Sequence, residues 1–249
     1  MPGKRDWLEE VAKRFKHPAT VLWRAEELRH VADALAAYVP QGAVLDMGCA
    51  EGNIAGMLFE QPVVVGLDNC EELIRHNTRR DVYRSLVLAD ACRMPFKDSS
   101  FGYVFSNSVI EHIPDNAALL AEVSRVLKDK GFFLFTAPSD RFGEFLFFYG
   151  VFKAWGLCRL AAWYRRKRNA LLNHFHCLDH TAWQERLEKN NLKLLSYRYY
   201  MGREATRMWD LLAAVMLVIR QWPFGYAFLR KYYGQESSEG ASVLIVCQK

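Results

Sequence analysis

Short apolar runs alternate with segments of helical periodicity between residues 44 and 136, and this alternation restricts the fold more than any other feature of the chain. Apolar or aromatic runs bounded by Gly, Pro, Asn or Asp predict strands, whereas apolar residues spaced three and four apart predict helices. Strands that alternate with helices build a parallel sheet covered on both faces. The predicted strands are 44–47, 63–68, 86–89, 103–106 and 132–136, and the predicted helices are 53–60, 71–78 and 116–128.

Further elements are predicted on either side of this region. Residues 8–38 have helical spacing, and two late strands are expected at 192–200 and 241–247. Asp179 is placed to cap a helix ahead of the first late strand. Seven strands in this order predict a Rossmann-like, doubly wound α/β fold with a mostly parallel seven-stranded sheet and helices on both faces.

The C-terminal half departs from the alternation at two places. Residues 141–173 and 203–234 are predicted as helical insertions, and residues 1–40 are predicted as an N-terminal helical cover. The pattern shows no internal repeat, so we expect one domain over residues 1–249.

Cysteine and hydropathy patterns exclude several classes of protein. The six cysteines are scattered and include no CxxC pair, which argues against a disulfide scaffold or a zinc ribbon. The first residues lack the apolar stretch of a secretory signal. The longest uncharged segments, 145–152 and 211–219, are too short to span a bilayer. We expect a cytoplasmic protein, either free or peripheral at the inner face of a membrane.

The net charge of +5 is unevenly distributed along the chain. Residues 1–139 carry a balance of −3, and residues 140–249 carry a balance of +8. In the basic part, the aromatic segments 145–168 and 209–233 contain or end in basic clusters. Such segments suit contact with an anionic bilayer, a lid over an apolar substrate, or ordinary packing of two helices. The basic residues lie at helix ends without a recognisable nucleic-acid module, so no nucleic-acid partner is expected.

A glycine turn follows the first predicted strand. Asp46 lies on this strand, and Gly48 and Gly52 frame a turn that opens a helix. Glycines permit a tight turn and close approach of the backbone to a ligand, and ligands of open α/β sheets bind at the carboxyl ends of the strands. The turn does not satisfy GxGxxG, because Ala50 and Asn53 occupy two of the positions, and alone it is also compatible with no ligand.

Polar residues at the next strand ends complete the pattern. Asp68 follows Asp46 by 22 residues, and Asp90 follows after another 22. A carboxylate at position 68 can accept hydrogen bonds from both hydroxyls of a ribose, and one at position 90 from an exocyclic amine. Ser106 and Asn107 end the fourth strand. Together these residues predict a nucleotide-type site.

Four segments resemble the sequential motifs of class I S-adenosylmethionine (SAM)-dependent methyltransferases: VLDMGCAEG, VVGLDNCEELI, LVLADACRMPFKDSSFGYVFSNSVIEHI and LAEVSRVLKDKGFFLFTAPS. The sequence is most similar to the methyltransferase type 11 group, which includes ubiquinone and menaquinone C-methyltransferase relatives. The likeness extends from about residue 44 to residue 139 and implies SAM as the cofactor.

The resemblance also implies roles for individual residues. Asp46, Gly48, Gly52 and the backbone of Cys49 are expected to hold the methionine part of SAM, and Asp68 is expected to bind the ribose. Asn69 is expected beside the adenine, and Asp90 and Ala91 at the adenine edge. Ser106 and Asn107 are expected beneath the sulfonium. Ala50 stands where the family usually has the middle glycine of the turn.

SAM carries its own activated methyl group, so the protein has mainly to align an acceptor in line and exclude water. Three histidines are candidate bases for acceptors that must lose a proton: His112, beside Glu111, and His174 and His176. Each is equally compatible with simple packing. His174, His176, Cys177 and His180 have ligand types that suit zinc, but they crowd one short segment without a partner cluster, so no metal is expected.

These observations predict methyl transfer from SAM to an apolar small molecule, with a lipid-linked molecule as one form of the acceptor. The acceptor is expected to bind between the cofactor and a cover made by the N-terminal helix and the two insertions. A nicotinamide-dependent oxidoreductase on a related fold is the first alternative. A non-catalytic protein that keeps the fold as a binding or membrane-associated partner is the second.

Overall fold

Seven strands and ten α-helices form the part of the chain that the computed structural model describes, which comprises residues 5–59, 63–75, 81–219 and 221–249. The strands are β1 Val44–Met47, β2 Val63–Asp68, β3 Tyr83–Leu88, β4 Phe101–Asn107, β5 Leu127–Pro138, β6 Lys193–Tyr200 and β7 Ser242–Gln248. The helices are α1 Trp7–Arg14, α2 Pro18–Ala37, α3 Ala55–Leu58, α4 Glu71–Arg75, α5 Asn116–Val126, α6 Phe142–Phe145, α7 Phe147–Ala154, α8 Cys158–Leu171, α9 His180–Glu188 and α10 Arg203–Val215. Two 3₁₀ helices, Ile110–His112 and Ala227–Lys231, complete the set.

The strands form one sheet in the order β3-β2-β1-β4-β5-β7-β6. Each neighbouring pair from β3 to β5 is parallel. β7 runs antiparallel to β5, because the Lys249 amide donates to Gly131 O and the Cys247 thiol to Phe133 O. The predicted mostly parallel, doubly wound sheet is therefore confirmed. The strand order reverses at β1, which places the switch point of the fold between the ends of β1 and β4.

Apolar runs that are buried on both faces explain the central strands. In β7, six consecutive residues are buried, and in β4 the side chains of Tyr103, Val104 and Phe105 are completely buried. Strands that are covered on both faces have continuous apolar sequences for this reason. The predicted bounds of β1 and β2 therefore agree with the structure.

Several predicted bounds differ from the observed ones. The helix predicted over 116–128 ends at Val126, and β5 begins directly at Leu127. Phe101 pairs with Leu127 but Tyr103 pairs with Phe132, so β5 bulges between these positions. Residues 129–131, Asp-Lys-Gly, lie in this bulge and have a sequence typical of a helix end, which explains the longer predicted helix.

The remaining differences are local. The predicted helix 8–38 is two helices, because the chain is extended at Phe15 and proline at position 18 disfavours helix in the residue before it. β3 begins at Tyr83 rather than at residue 86. Residues 76–78 of the helix predicted over 71–78, and residue 60 of the helix predicted over 53–60, lie outside the described residues. Asp179 caps α9 as predicted, accepting from Ala182 N at 2.8 Å.

The chain divides into two compact units. The sheet unit comprises Ala32–Ala137, Leu178–Arg198 and Leu244–Lys249; the helical unit comprises the described residues of Met1–Val31 together with Pro138–Cys177 and Tyr199–Val243. The segments predicted as an N-terminal cover and as insertions supply α1, most of α2, α6, α7, α8 and α10. The single domain expected over residues 1–249 stays a prediction.

Helix α2 is unusual within the helical unit, because seven consecutive residues, 25–31, are buried and four of them are ionisable. The Arg29 guanidinium donates to Glu26 at 3.1 Å and to Glu236 at 2.9 Å. The Glu27 carboxylate accepts from the Tyr200 hydroxyl at 2.9 Å. Buried charges are tolerated only when they are paired, so this helix depends on partners from the far end of the chain.

Candidate functional site

The turn after β1 adopts left-handed backbone conformations at three positions. The φ angles are +82° at Gly48, +44° at Ala50 and +77° at Gly52. The amides of Gly48 and Cys49 both donate to Leu67 O, at 2.7 and 3.0 Å, which holds the turn against the end of β2. A β-carbon added to Gly48 would lie 2.3 Å from Val109 Cγ2, so this position accepts only glycine without a shift of its neighbour.

The Asp68 carboxylate joins the turn to the end of β2. Its Oδ2 accepts from the Ala50 amide and its Oδ1 from the Cys70 amide, both at 2.9 Å, and the side chain is buried. An ionised carboxylate has about four acceptor sites, so two backbone donors use only part of its capacity. The geometry suits the hydroxyls of a ribose, the role that the sequence predicts for Asp68.

Asp46 is buried beneath the turn and accepts a hydrogen bond from the Tyr83 hydroxyl at 2.6 Å. Asp46 pairs with Gly66 on β2, which lies between β1 and β3. A β-carbon at Gly66 would approach Tyr83 Cδ1 to 3.0 Å, so the missing side chain gives the Tyr83 ring room to reach across β2. Sequence reasoning missed Tyr83, because only Gly66 inside a buried strand could have signalled such a close approach.

Burial and charge shift the pKa values around Asp46. Burial raises the pKa of the Asp46 carboxyl to about 7, with a smaller increase from the Asp68 charge and an opposing effect of the Tyr83 hydrogen bond. Burial, with the charges of Asp46 and Asp68, also raises the pKa of the Cys49 thiol. The neutral thiol packs in an apolar cluster with Ala55, Val63 and other residues. Cys49 therefore contributes its backbone to the turn and its side chain to the core.

The end of β3 is more exposed than the turn. Asp90 is exposed and accepts from the Cys92 amide at 2.8 Å, whereas Ala91 is buried. Asn69, at the end of β2, is also exposed. Their expected contacts with the adenine stay predictions.

Two residues of α5 hold the loop that follows Asp90. The Arg125 guanidinium donates to Met94 O at 3.0 Å and to Phe96 O at 2.7 Å. The Glu122 carboxylate accepts from the Met94 amide at 2.7 Å and also pairs with Arg125. Neither residue stands out in the sequence, although their spacing of three places both on one helix face. They fix the backbone next to the expected adenine site.

The end of β4 presents a buried hydroxyl. Ser106 is completely buried, and its Oγ finds no hydrogen-bond partner among the residues that the structure describes. Asn107 follows it, and the Ser108 amide donates to Thr136 Oγ1 at 2.9 Å. A buried hydroxyl without a protein partner is available to a ligand. The donor set at this edge of the sheet therefore fits a polar ligand bound at the switch point.

His112 lies in the 3₁₀ helix that follows β4. Its side chain is 42% exposed, and Nε2 lies 3.8 Å from Oε1 of the buried Glu111. An exposed imidazole beside a buried carboxylate can accept a proton from a ligand. The structure thus brings His112 into the same unit as the ten predicted cofactor residues.

His174 and His176 belong to the helical unit. The His174 ring packs against Phe142 at 5.1 Å, and Nδ1 lies 3.3 Å from Asn169 Oδ1. Over the described ranges, no group of three or more His, Cys, Asp or Glu residues is arranged to hold a metal ion. The roles of both histidines stay predictions.

Comparison with known proteins identifies the segment that builds the site. Residues 45–135 match the sequence model of a family described as a methyltransferase domain, of the type 11 group. The sterol 24-C-methyltransferase of Schizosaccharomyces pombe is 34% identical over 102 residues, which are 38% of this chain and 27% of the relative. The ubiquinone/menaquinone biosynthesis C-methyltransferase of Desulfotalea psychrophila is 26% identical over 164 residues, covering 60% of this chain and 67% of the relative.

A solved structure extends the likeness to nearly the whole chain. A protein of Galdieria sulphuraria, described as a sarcosine dimethylglycine methyltransferase, superposes with a TM-score of 0.63 over 99% of this chain and 94% of that one. The two sequences are 13% identical, so this likeness establishes the fold alone.

The chain spans less than half the length of the first curated relatives that it matches, 44% and 38% of two of them. The matches therefore concern the domain, and not the acceptor or the partners of the whole protein. Residues 45–135 thus match a methyltransferase-domain family, as the resemblance in the sequence predicts, and for this segment the predicted enzyme class and the SAM cofactor are confirmed.

Proposed function

We propose that this protein transfers a methyl group from SAM to an apolar small molecule. The observation that carries the proposal is the glycine turn at the switch point, which the Asp68 carboxylate joins to the end of β2. SAM supplies a methyl group bonded to a cationic sulfur. Asp68 would hold the ribose, the backbone from Gly48 to Gly52 the methionine part, and Ser106 and Asn107 the edge nearest the sulfonium.

The residues of the sheet unit have three tasks in this proposal. The turn and the loop clamped by Arg125 bind and orient the cofactor. The buried strand ends exclude water, which strengthens electrostatic interactions at the site. His112 takes the proton from acceptors that carry one on the attacking atom.

The apolar nature of the acceptor is supported by the helical unit. Its basic, aromatic segments leave large apolar side chains exposed, among them Trp155, Leu217 and Phe224. The descriptions of the proteins named above mention a sterol, ubiquinone and menaquinone biosynthesis, and sarcosine and dimethylglycine, so these names range from apolar to polar compounds. We favour the apolar end of this range, with a lipid-linked molecule as one form.

We also propose a cytoplasmic protein with peripheral membrane contact through residues 145–168 and 209–233. None of the helices in the described part of the chain is long and apolar enough to span a bilayer. The proposal rests on the positive balance of the C-terminal half and on the exposed apolar side chains there.

Calorimetric titration tests the cofactor. SAM should bind wild-type protein, and Asp68→Ala should weaken binding about a hundredfold or more, because two charge-assisted hydrogen bonds at about 1.5–3 kcal/mol each are lost. Asp129→Ala, which removes an exposed carboxylate from the β5 bulge, is the matched control and should bind normally. Binding of NAD(H) without binding of SAM would overturn the proposal in favour of the oxidoreductase.

Transfer itself is tested with SAM that carries a radiolabelled methyl group. Wild-type protein, incubated with a lipid extract of the source cells, should move label into the organic phase, and the His112→Ala variant should do so more slowly. Label that enters only water-soluble products contradicts an apolar acceptor. Binding of SAM without any transfer favours the non-catalytic alternative.

A further inference from the structure

Helices α7 and α8 are joined by a tip, residues 153–160, in which every residue is exposed. Gly156 ends α7 in the left-handed conformation, with φ of +73°, and the Leu157 amide donates to Phe152 O at 2.8 Å. These bonds are those of an ordered helix end. The tip nevertheless exposes 74% of Trp155, as well as much of Leu157 and Leu160. Adjacent exposed apolar side chains of this size mark an interaction surface.

The exposed face of α8 continues this surface. Leu160, Trp163 and Leu171 lie within an arc of about 140° of the helix circumference, given 3.6 residues per turn. Trp163 is 48% exposed and Leu171 72% exposed. The cations Arg159, Arg166 and Lys167 lie in the same arc and are exposed. We call the tip and this arc of α8 the hairpin surface.

The opposite face of α8 is fixed to the helical unit. The buried Asp210 of α10 accepts from the Tyr164 hydroxyl at 2.8 Å and lies 3.2 Å from Arg168 Nε. Phe148 of α7 packs against the Tyr164 ring at 5.6 Å. Because these contacts occupy one side of α8, the exposed apolar residues on the other side are not the remainder of an internal helix contact.

The charge of the segment indicates what covers the hairpin surface. Residues 145–178 contain six Lys or Arg and no Asp or Glu. Arg168 pairs with Asp210, whereas Arg159, Arg166 and Lys167 have no ion pair with any residue that the structure describes. Cations beside exposed Trp and Leu fit the interface of an anionic bilayer, where Trp is favoured at headgroup depth. A second copy of the same surface would bring like charges together.

We propose that the hairpin surface docks onto an anionic lipid bilayer, with Trp155, Leu157 and Leu160 in the headgroup region. This proposal restricts the membrane contact of residues 145–168 to the later part of that segment, because Phe145 and Leu146 are buried within the helical unit. The docking does not depend on methyl transfer, so vesicle binding and SAM binding can each fail without the other.

Flotation with vesicles tests the charges. At low salt, wild-type protein should float with vesicles that contain about one third phosphatidylserine. With vesicles of pure phosphatidylcholine it should stay in the bottom fraction of the gradient. Replacing Arg159, Arg166 and Lys167 by Gln should weaken binding on the order of a hundredfold, since each cation near an anionic surface contributes about a fivefold factor. The matched control replaces the exposed Lys128, Lys189 and Lys193 of the sheet unit by Gln, and its affinity for the vesicles should fall by less than about tenfold.

The apolar contribution is tested separately. W155S combined with L157S should lower binding while leaving SAM affinity and the unfolding midpoint unchanged, because both side chains are exposed. V39S combined with L195S, at exposed apolar positions of the sheet unit, is the control and should float like wild type.

Cys158 is exposed within the tip and provides a direct readout. An environment-sensitive fluorophore on this thiol should shift to shorter wavelength with anionic vesicles and be quenched by brominated lipid. Wild-type protein that stays in the aqueous fraction at low salt overturns the proposal. Equal losses in the test and control variants overturn it as well, and so does self-association that the tip substitutions abolish without affecting flotation.

Discussion

Gly48 provides the sharpest test of the turn, because two separable costs arise when it is replaced by alanine. Its φ of +82° is left-handed, which costs an L-residue roughly 1–2 kcal/mol. The new β-carbon would also lie 2.3 Å from Val109 Cγ2, well inside a contact distance, and forcing such an overlap costs about 1–3 kcal/mol. Gly48→Ala should therefore destabilise the protein by about 2–5 kcal/mol, a large part of a typical domain stability.

Gly42 separates the two costs. Its φ is +72°, but nothing lies within 4 Å of an added β-carbon. Gly42→Ala should consequently lose only the conformational share. In a Val109→Ala background both Cγ atoms are absent and only Cβ remains, 3.0 Å from the added β-carbon, so Gly48→Ala should lose most of its overlap cost. The expected coupling energy between positions 48 and 109 is about 1–3 kcal/mol.

Wild type, Gly48→Ala, Val109→Ala and the double variant form a double-mutant cycle. Urea unfolding of these four proteins and of Gly42→Ala measures their free energies of unfolding, and calorimetry measures their affinities for SAM. Gly48→Ala should also lose SAM binding, because the turn must move to relieve the overlap. The reasoning is refuted if Gly48→Ala costs no more than Gly42→Ala, or if Val109→Ala gives no relief.

Three further predictions concern stability. Ala50→Gly should raise the free energy of unfolding in urea by about 0.5–1 kcal/mol, because a φ of +44° strains an alanine. The control, Ala121→Gly in the middle of α5, should lower it by about 1 kcal/mol. Equal effects of the two substitutions would contradict the strain at Ala50. Burial raises the pKa of Asp46 in the folded protein from its ordinary 3.8 to about 7, so the contribution of Asp46 to stability should fall as pH rises from about 4 to about 7, by up to roughly 4 kcal/mol. Asp46→Asn should flatten this part of the profile of unfolding free energy against pH, and an unchanged slope would refute the shift. Asp210→Ala should cost about 3–5 kcal/mol in the same assay, because the half-buried Arg168 loses its charge partner and the Tyr164 hydroxyl loses its acceptor. Arg168→Met combined with it should recover part of the loss, and no recovery would contradict the pairing.

The sequence predicted those parts of the fold that short-range patterns determine. β1 and β2 could be bounded correctly because strands buried on both faces are continuous apolar runs, and Asp68 could be placed because it ends such a run. The beginning of β5 could not be predicted, because a bulge with three charged residues has the sequence pattern of a helix end. The Tyr83–Asp46 hydrogen bond also escaped prediction, because it depends on strand order and joins residues from opposite sides of β2.

The buried face of α2 escaped prediction for a related reason. Glutamate and arginine within a helix ordinarily indicate a solvent face, and only residues far away in sequence show that these are enclosed. The same limitation applies to the Arg125 clamp, whose acceptors are backbone carbonyls about thirty residues away.

The partners of α2 have a consequence for biosynthesis. This helix is made early, but the groups that enclose it, Tyr200, Gly234 and Glu236, emerge from the ribosome some two hundred residues later. Contacts of such long range form slowly, and at about 5–20 residues per second the nascent helix waits on the order of ten seconds or more with its apolar and charged surface uncovered. During that interval the sheet unit also lacks β7. The chain should therefore depend on chaperones while it is being translated, and release of truncated chains should yield aggregates rather than a folded N-terminal part.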